Sequence, residues 1–446
     1  MKRYEEYKPT GTKWIASIPA TWDVQKIGAL FSQRKEKVSD RDYAPISVTK
    51  NGILPQLETA AKTDDGDNRK KVCIGDFVIN SRSDRKGSCG ISALEGSVSL
   101  INIVLQPRDR LIGKYAHYLL RCQPFSEEYY RNGRGIVADL WTTRYSEMKT
   151  ILLPVPPRAE QDQIVRYLDW QVSKINRLIA AKRKQIKLLN AQKHALVSHY
   201  VTRGLAENAP LKNSGVNWLS AIPAHWSIRK LRTLLTPYSE KNQPNLPLLS
   251  VVREKGVIVR NVEDTEENHN FIPDDLSGYK VVRKDQFVIN KMKSWQGSYG
   301  IAPCDGIVSP AYFVFDIDFD NLEYFHYAIR SKIYVNFFAQ ASDGIRVGQW
   351  DLSIDKMKDI PFIIPPSNEQ AEIVSRIKKE IVKTQEAISG VEKQISALEE
   401  LRTRLISDVV TGQIDVRNIK VPDFEYVNEE TIDDSIEEEL EENEEE

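Results

Sequence analysis

The chain has 446 residues, 41% of them hydrophobic and 28% charged, enough for two or three domains with cores of their own. No stretch approaches the roughly 18 apolar residues of a membrane helix, and the opening MKRYEEYKPTGTKW lacks the apolar centre of a signal peptide, so no membrane partner is expected and a cytoplasmic location is. Cys73, Cys89, Cys122 and Cys304 stand far apart with no CxxC pair; this supports neither a zinc site nor a disulfide framework, and they read as reduced thiols.

The net charge of -1 conceals an uneven distribution. Residues 421–446 carry 14 acidic side chains and no Lys or Arg, leaving 62 basic against 49 acidic residues before them. Residues 1–157 hold 25 basic against 18 acidic, and residues 158–204 hold 10 against 3. That bias suits a polyanionic partner; a solvated surface with a solubilising tail would carry the same charges.

In chain order, the first segment is GTKWIASIPATWDVQKIGALF at 11–31, with two tryptophans flanking an IPA. Short β-type runs such as KVCIGDFVIN and SVSLINIVL follow, then a helical pattern, KYAHYLLRCQPFSEEYYRN. GIVADLWTTRYSEMKTILLPVPP at 135–157 leads into a long stretch whose apolar residues keep a 3,4 spacing from Val165, Leu168 and Val172 to Tyr200, interrupted at the seam by Lys182 and Lys193. Gly204 ends it.

The same order then recurs. GVNWLSAIPAHWSIRKLRTLL occupies 215–235, DQFVINKMKSWQGSYGIA at 285–302 repeats GDFVINSRSDRKGSCGIS at 75–92, and GIRVGQWDLSIDKMKDIPFIIPP at 344–366 repeats 135–157, at offsets of 204, 210 and 209. A second 3,4 seam runs from Val374 to Val409, broken by Thr384 and Arg402, and Gly412 closes it. The whole chain is a tandem duplication. The strings VPPRAEQDQIV and IPPSNEQAEIV read as helix starts, with Ser367 and Gln370 spaced as a capping box. The fold class expected is mixed α/β, two globules each followed by a helix of about 65–70 Å at 1.5 Å per residue. The intervening globule lets the chain return, so the seams predict an antiparallel coiled coil and an approximate two-fold axis. The polar seam residues are expected to fix its register. Leu178, Leu188 and Val197 lie off the seam and either face a partner or broaden it.

Catalytic signatures are missing from the sequence. There is no GxxxxGK[ST], no GxGxxG after a strand and no HExxH; PVPP and IIPP lack the Asn or Asp of the NPPY or DPPY loop of adenine methyltransferases; and FIPDDLSGYK lacks the acidic-x-Lys element of a nuclease. The chain is expected to catalyse nothing alone and to hold no cofactor or metal.

Two unlike globules, each entered by WxxxxIPxxW and each followed by PPxxEQxxIV and a long helix, closely resemble the specificity subunit of type I restriction-modification systems. The resemblance spans residues 11–413, with modest departures: Leu100 stands where the second copy has Pro310, and WTTRY differs from WDLSI. It implies target-recognition domains at 1–157 and 205–366 and coiled-coil helices at 158–204 and 367–413; residues 414–446, outside the motif pattern, are expected to form an acidic, disordered tail. It further implies double-stranded DNA as ligand, each domain reading one half of a bipartite site. Two methyltransferase subunits would dock on the helices, joined by restriction and translocase subunits. S-adenosylmethionine, ATP and magnesium would belong to those partners, and adenine-N6 methylation and ATP-dependent cleavage to the assembly. A related type IIB-like or methylation-only system, or a coiled-coil adaptor that binds only proteins, is compatible with the same sequence.

The loop after FVIN offers Arg82, Arg85 and Lys86 in the first copy for guanine edges or phosphates. In the second it offers Lys291, Lys293, Trp295 and Gln296, which combine charge, stacking and a bidentate adenine contact. The segment before each long helix adds Arg131, Arg134 and Arg144, then Arg346 and Gln349. A solvated loop would look the same. Trp141 and Trp350 are expected in the core, and Trp14, Trp22, Trp218 and Trp226 as packing residues.

Overall fold

The computed structural model describes residues 2–56, 66–82, 85–135, 141–206, 208–216, 219–253, 255–261, 272–273, 275–346 and 349–427. Trp218 and residues 428–446 of the acidic tail lie outside the described residues. The chain divides into two compact units, Met1–Lys184 with Glu392–Glu446, and Gln185–Val391.

In the first unit a four-stranded antiparallel sheet is built from β1 (Phe31–Gln33), β2 (Phe77–Asn80), β3 (Cys89–Ile91) and β4 (Asn102–Pro107), in the order β1-β4-β2-β3. FVIN is buried throughout because both faces of β2 are covered. Phe77 and Ile79 join the main core, while Val78 points the other way into a cluster with Val72, Val98 and Val104, the period-two alternation of a strand. Helices α1 (Gly113–Arg121) and α2 (Gln123–Arg131) pack on the main core through Tyr115, Ala116, Leu119, Phe125 and Tyr129.

The second unit repeats this arrangement. Strands β5 (Leu235–Tyr238), β6 (Phe287–Asn290), β7 (Tyr299–Ile301) and β8 (Tyr312–Ile317) take the matching order β5-β8-β6-β7. Phe287 and Ile289 face one cluster, Val288 and Val314 the other. Helices α4 (Leu322–Ile329) and α5 (Lys332–Gln340) stand where α1 and α2 stand in the first unit.

The long helices are α3 (Arg158–Arg203) and α6 (Ser367–Val410). Each begins after the double proline, yet Ser367 and Gln370 do not form the expected capping box. The buried Gln370 carboxamide donates to the Pro365 carbonyl at 2.8 Å, and Gln161 likewise donates to Pro156 at 2.9 Å and to Arg110 at 3.0 Å. The glutamine of the motif is a backbone clamp on the proline turn. Gly204 and Gly412 end the helices with φ of +75°, where a Cβ would be strained.

Within each unit a buried tyrosine ties module to helix end. Tyr115 donates to the Val410 carbonyl at 3.1 Å, and Tyr324 to the Val201 carbonyl at 3.3 Å. Trp22 and Trp226 are fully buried over Gly412 and Gly204 respectively, as expected, and Trp14 is half-buried against Phe125. The tail expected from 414 onward starts later: Ile414 and Val416 are buried in the first core because the chain after Gly412 turns back onto the module, with Ile419 and Val421 packed beside them.

Seam residues Val165, Leu168, Val172, Ile175 and Ile179 are buried in the first unit, as are Val374, Ile377 and Ile388 in the second. Arg402 donates to the buried Asn176 at 2.7 Å, a seam contact the 3,4 pattern missed because Asn176 falls one position beyond the apolar register. Leu178 and Leu188 are 50% and 54% exposed; Val197 instead packs against the second core.

Candidate nucleic-acid interface

The loop after FVIN is set by one device in both units. Asn80 accepts the Arg82 amide at 3.0 Å and Asn290 accepts the Met292 amide at 3.1 Å, so the carboxamide turns the chain out of the strand. Gly87 and Gly297, with φ of +82° and +89°, return it to β3 and β7. The far side is tied to the segment before the long helix: Thr143 donates its amide to Ser81 at 2.9 Å, and Leu352 to Lys291 at 3.1 Å. Two segments distant in sequence thus form one surface in each unit.

In the first unit Arg82, Arg85 and Lys86 are exposed on the loop. Lys86 pairs with Glu127 at 2.7 Å and lies 5.1 Å from the centre of the Tyr130 ring. Arg131 is exposed and paired with Glu128 on its own helix, and Arg144 is exposed. Arg134 is 84% exposed, 3.9 Å from Glu147. Glu147 is held below the usual carboxylate range by the Ser146 hydroxyl, with Arg134 adding to the effect.

In the second unit Lys291 pairs with Asp351 at 2.7 Å, and Lys293 is exposed. Trp295 and Gln296 form a short 3-10 turn and are half-buried. The backbones of Arg346 and Gln349 face each other in the hairpin Ser342–Arg346 and Gln349–Leu352; their side chains lie outside the described residues.

The core assignment of Trp141 and Trp350 is corrected. Trp350 is 36% exposed and packs on Trp295 with ring centres 5.7 Å apart and planes at 34°. Trp141 is half-buried and packs on Tyr130 at 5.9 Å and 31°, its indole N-H donating to the Tyr130 carbonyl at 2.9 Å. The two rings occupy equivalent places but rest on partners from different elements: Tyr130 comes from α2, Trp295 from the loop. Tyr130 had no signal in the sequence, because its partner is set by tertiary packing.

Lys280, beside this surface, is held below the ordinary lysine range by burial, with Lys241 and Lys291 adding repulsion; it donates to the Tyr312 carbonyl at 2.6 Å. Cys89 lines a shallow pocket with Arg82, Lys86, Arg121 and Trp141, but burial pushes its thiol up to about 12, so it is no nucleophile. Among the described residues no cluster of three or more His, Cys, Asp or Glu could hold a metal ion, and no helix is long and apolar enough to cross a membrane.

Each unit thus projects cationic and aromatic side chains on a loop from a sheet whose topology is given twice in the chain. No family model matches the chain. Two curated relatives from Methanocaldococcus jannaschii do. The specificity subunit named for the type I restriction enzyme MjaX is 22% identical over 93% of this chain and 97% of its own length, and that of MjaVIII is 22% identical over 90% and 95%. A solved chain from a study of complex assembly and conformational transition in a type I restriction-modification system aligns with a TM-score of 0.59 at 12% identity, covering 89% of this chain and 99% of that one. The resemblance read from the repeated motifs thus extends along the chain's length: the chain is similar to curated type I restriction enzyme specificity subunits, and its mixed α/β fold is similar to that of a chain from a type I restriction-modification system.

Proposed function

We propose that this chain is the non-catalytic, DNA-recognising subunit of a type I restriction-modification complex, acting in the cytoplasm. The observation that carries the reading is the repeated surface: the same Asn-turned, Gly-closed loop, tied to the same pre-helix segment, presents different side chains in each unit. A scaffold kept and a reader varied is what recognition of two unlike half-sites requires. Residues 1–157 and 205–366 are the two target-recognition domains. Arg82, Arg85, Lys86, Arg131, Arg134 and Arg144 serve the first half-site, and Lys291, Lys293, Trp295, Gln296, Arg346 and Gln349 the second.

Helices α3 and α6 pair antiparallel and set the unread spacer. The order of contacts supports this: along α3, Arg402 meets Asn176 and Glu399 meets Arg183 at 3.7 Å, one chain number rising as the other falls. Modules reading the major groove from one side of B-DNA stand about 34 Å apart, a distance a rigid helical spacer can impose. Two methyltransferase subunits dock on outward helix faces such as those bearing Leu178 and Leu188, and restriction subunits join them. S-adenosylmethionine, ATP and magnesium stay with those partners.

The test is long-read mapping of N6-methyladenine in the source genome with and without the gene. Loss of methylation at one split motif, two short halves around a fixed gap, is the expected result. An unchanged methylome in cells that express the partner subunits would overturn the reading.

A further inference from the structure

After Gly412 the chain runs back along α3 inside the first unit. Gln163 donates to the carbonyls of Val416 and Ile419 at 2.9 and 2.7 Å, Arg166 lies 3.9 Å from Asp423, and Arg177 pairs with Glu425 at 3.2 Å. Ser173 accepts the Val427 amide at 3.1 Å, and Asn176 donates to the Val427 carbonyl at 3.2 Å. Lys114 of α1 sits 5.3 Å from the centre of the Tyr426 ring. Residues 163, 166, 173 and 177 lie on one helical stripe, so the segment Val421–Val427 is a strap along one cationic face of α3.

The duplication supplies a control within the chain. Counted from the double proline, Arg166, Ser173 and Arg177 correspond to Ser375, Val382 and Glu386 on α6. That stripe bears no cation at these positions, and Val382 is 57% exposed where Ser173 is 2% exposed. An acidic strap lies along the basic stripe, pairing its half-exposed arginines and burying Ser173, and among the described residues no such strap lies along the non-basic one. Beyond Val427 the sequence places 12 more carboxylates and no Lys or Arg in 19 residues. This polyanion is tethered where α3 carries Lys174, Arg177, Lys182, Arg183 and Lys184. A tether this short gives an effective concentration in the millimolar range.

We propose that the strapped face of α3 is a polyanion-binding surface outside the two reading loops, that its ligand is the phosphate backbone of double-stranded DNA, and that the C-terminal strap is an autoinhibitory competitor for it. The inference rests on the DNA-binding reading above. With the strap seated, the chain resists unspecific DNA and binds through its reading loops; displacement of the strap adds phosphate contacts.

Fluorescence anisotropy with a duplex of arbitrary sequence, titrated across salt, tests this on the full chain and on a chain ending at Lys420, which keeps Ile414, Val416 and Ile419. The shortened chain should bind about tenfold tighter, its log-log salt slope steeper by about 2, close to one unit for each of Arg166 and Arg177 released, while Lys114 keeps its pair with Asp169. Adding Arg166→Ala and Arg177→Ala to it should remove most of the gain. Ser173→Ala with Tyr426→Ala, which loosens the strap at unchanged net charge, should raise affinity in the same direction. A gain on truncation that neither double variant modulates would mean a bulk charge effect and overturn the proposal. So would unchanged DNA affinity on truncation, including the case where truncation alters only methyltransferase binding. If no form bound DNA at any salt, the DNA-recognition reading itself would fail.

Discussion

Lys291 and Lys293 carry equal charge in the sequence, but the fold separates them. Lys291 is already paired with Asp351, so contact with DNA must break or share that pair, whereas Lys293 is exposed. Lys293→Ala should therefore weaken DNA binding and reduce the salt slope by about one unit. Lys291→Ala should do less, and a filter-binding salt series on each single variant separates the two. Trp350→Ala removes a ring that rests on Trp295 at the surface; it should lower affinity for the second half-site while leaving thermal stability within about 1 kcal/mol, unlike Trp226→Ala, which empties a core position.

A second residue-scale effect is hidden from sequence. His117 and His326 stand at matching positions of α1 and α4, each with an arginine four residues on. Burial first, and the neighbouring Arg121 second, lower His117 to about 3; burial and Arg330 lower His326 to about 4. Above the ordinary histidine value near 6.5 both folded and unfolded chains carry neutral imidazole and the pair has no effect. Below it the unfolded chain binds protons that the folded chain refuses, so stability falls as pH drops from about 6.5 toward 4. Urea denaturation at pH 7 and pH 4.5 should show this loss, and His117→Gln with His326→Gln should reduce it.

At the scale of elements, the glycines of the long helices separate by place. Gly412 has φ of +75°, and a Cβ there would lie 2.4 Å from Pro19 Cδ, whereas Gly390 lies within α6 with nothing within 4 Å of its Cβ position. Gly412→Ala should destabilise the first unit by more than about 1 kcal/mol, and Gly390→Ala should stabilise α6 by about 0.5–1 kcal/mol. Thermal melts of the two variants should shift in opposite directions. The helices were legible from their 3,4 spacing, double prolines and terminal glycines, all local signals. The role of Gln370 was not, since its partner is a backbone carbonyl shaped by the proline turn. Asn176 has no periodic signature, being a polar residue beside an apolar seam; the approach of Arg402 and of the Val427 carbonyl gives it a role.

At the scale of the whole molecule, the duplication fixes what a partner meets. If methyltransferase subunits dock on α3 and α6, then Leu178→Gln with Leu188→Gln, both on exposed faces and neutral, should lower subunit affinity at least tenfold in a pull-down with purified subunit and leave DNA binding by the chain alone unchanged. A loss of both would place these leucines in folding.

Sequence alone determined the duplication and the long helices, because repeats, terminal glycines and apolar periods are local or internal comparisons that need no neighbour in space. It also located the loops that carry the candidate contact residues, since FVIN and the following glycine bracket them in both copies. Only the tertiary structure decided which lysine is already paired, that Trp141 and Trp350 rest at the surface on Tyr130 and Trp295, and that the residues after Gly412 are strap and core before they are tail. Each of those facts depends on a contact between segments far apart in the chain, and such a contact leaves no trace in the spacing of either segment.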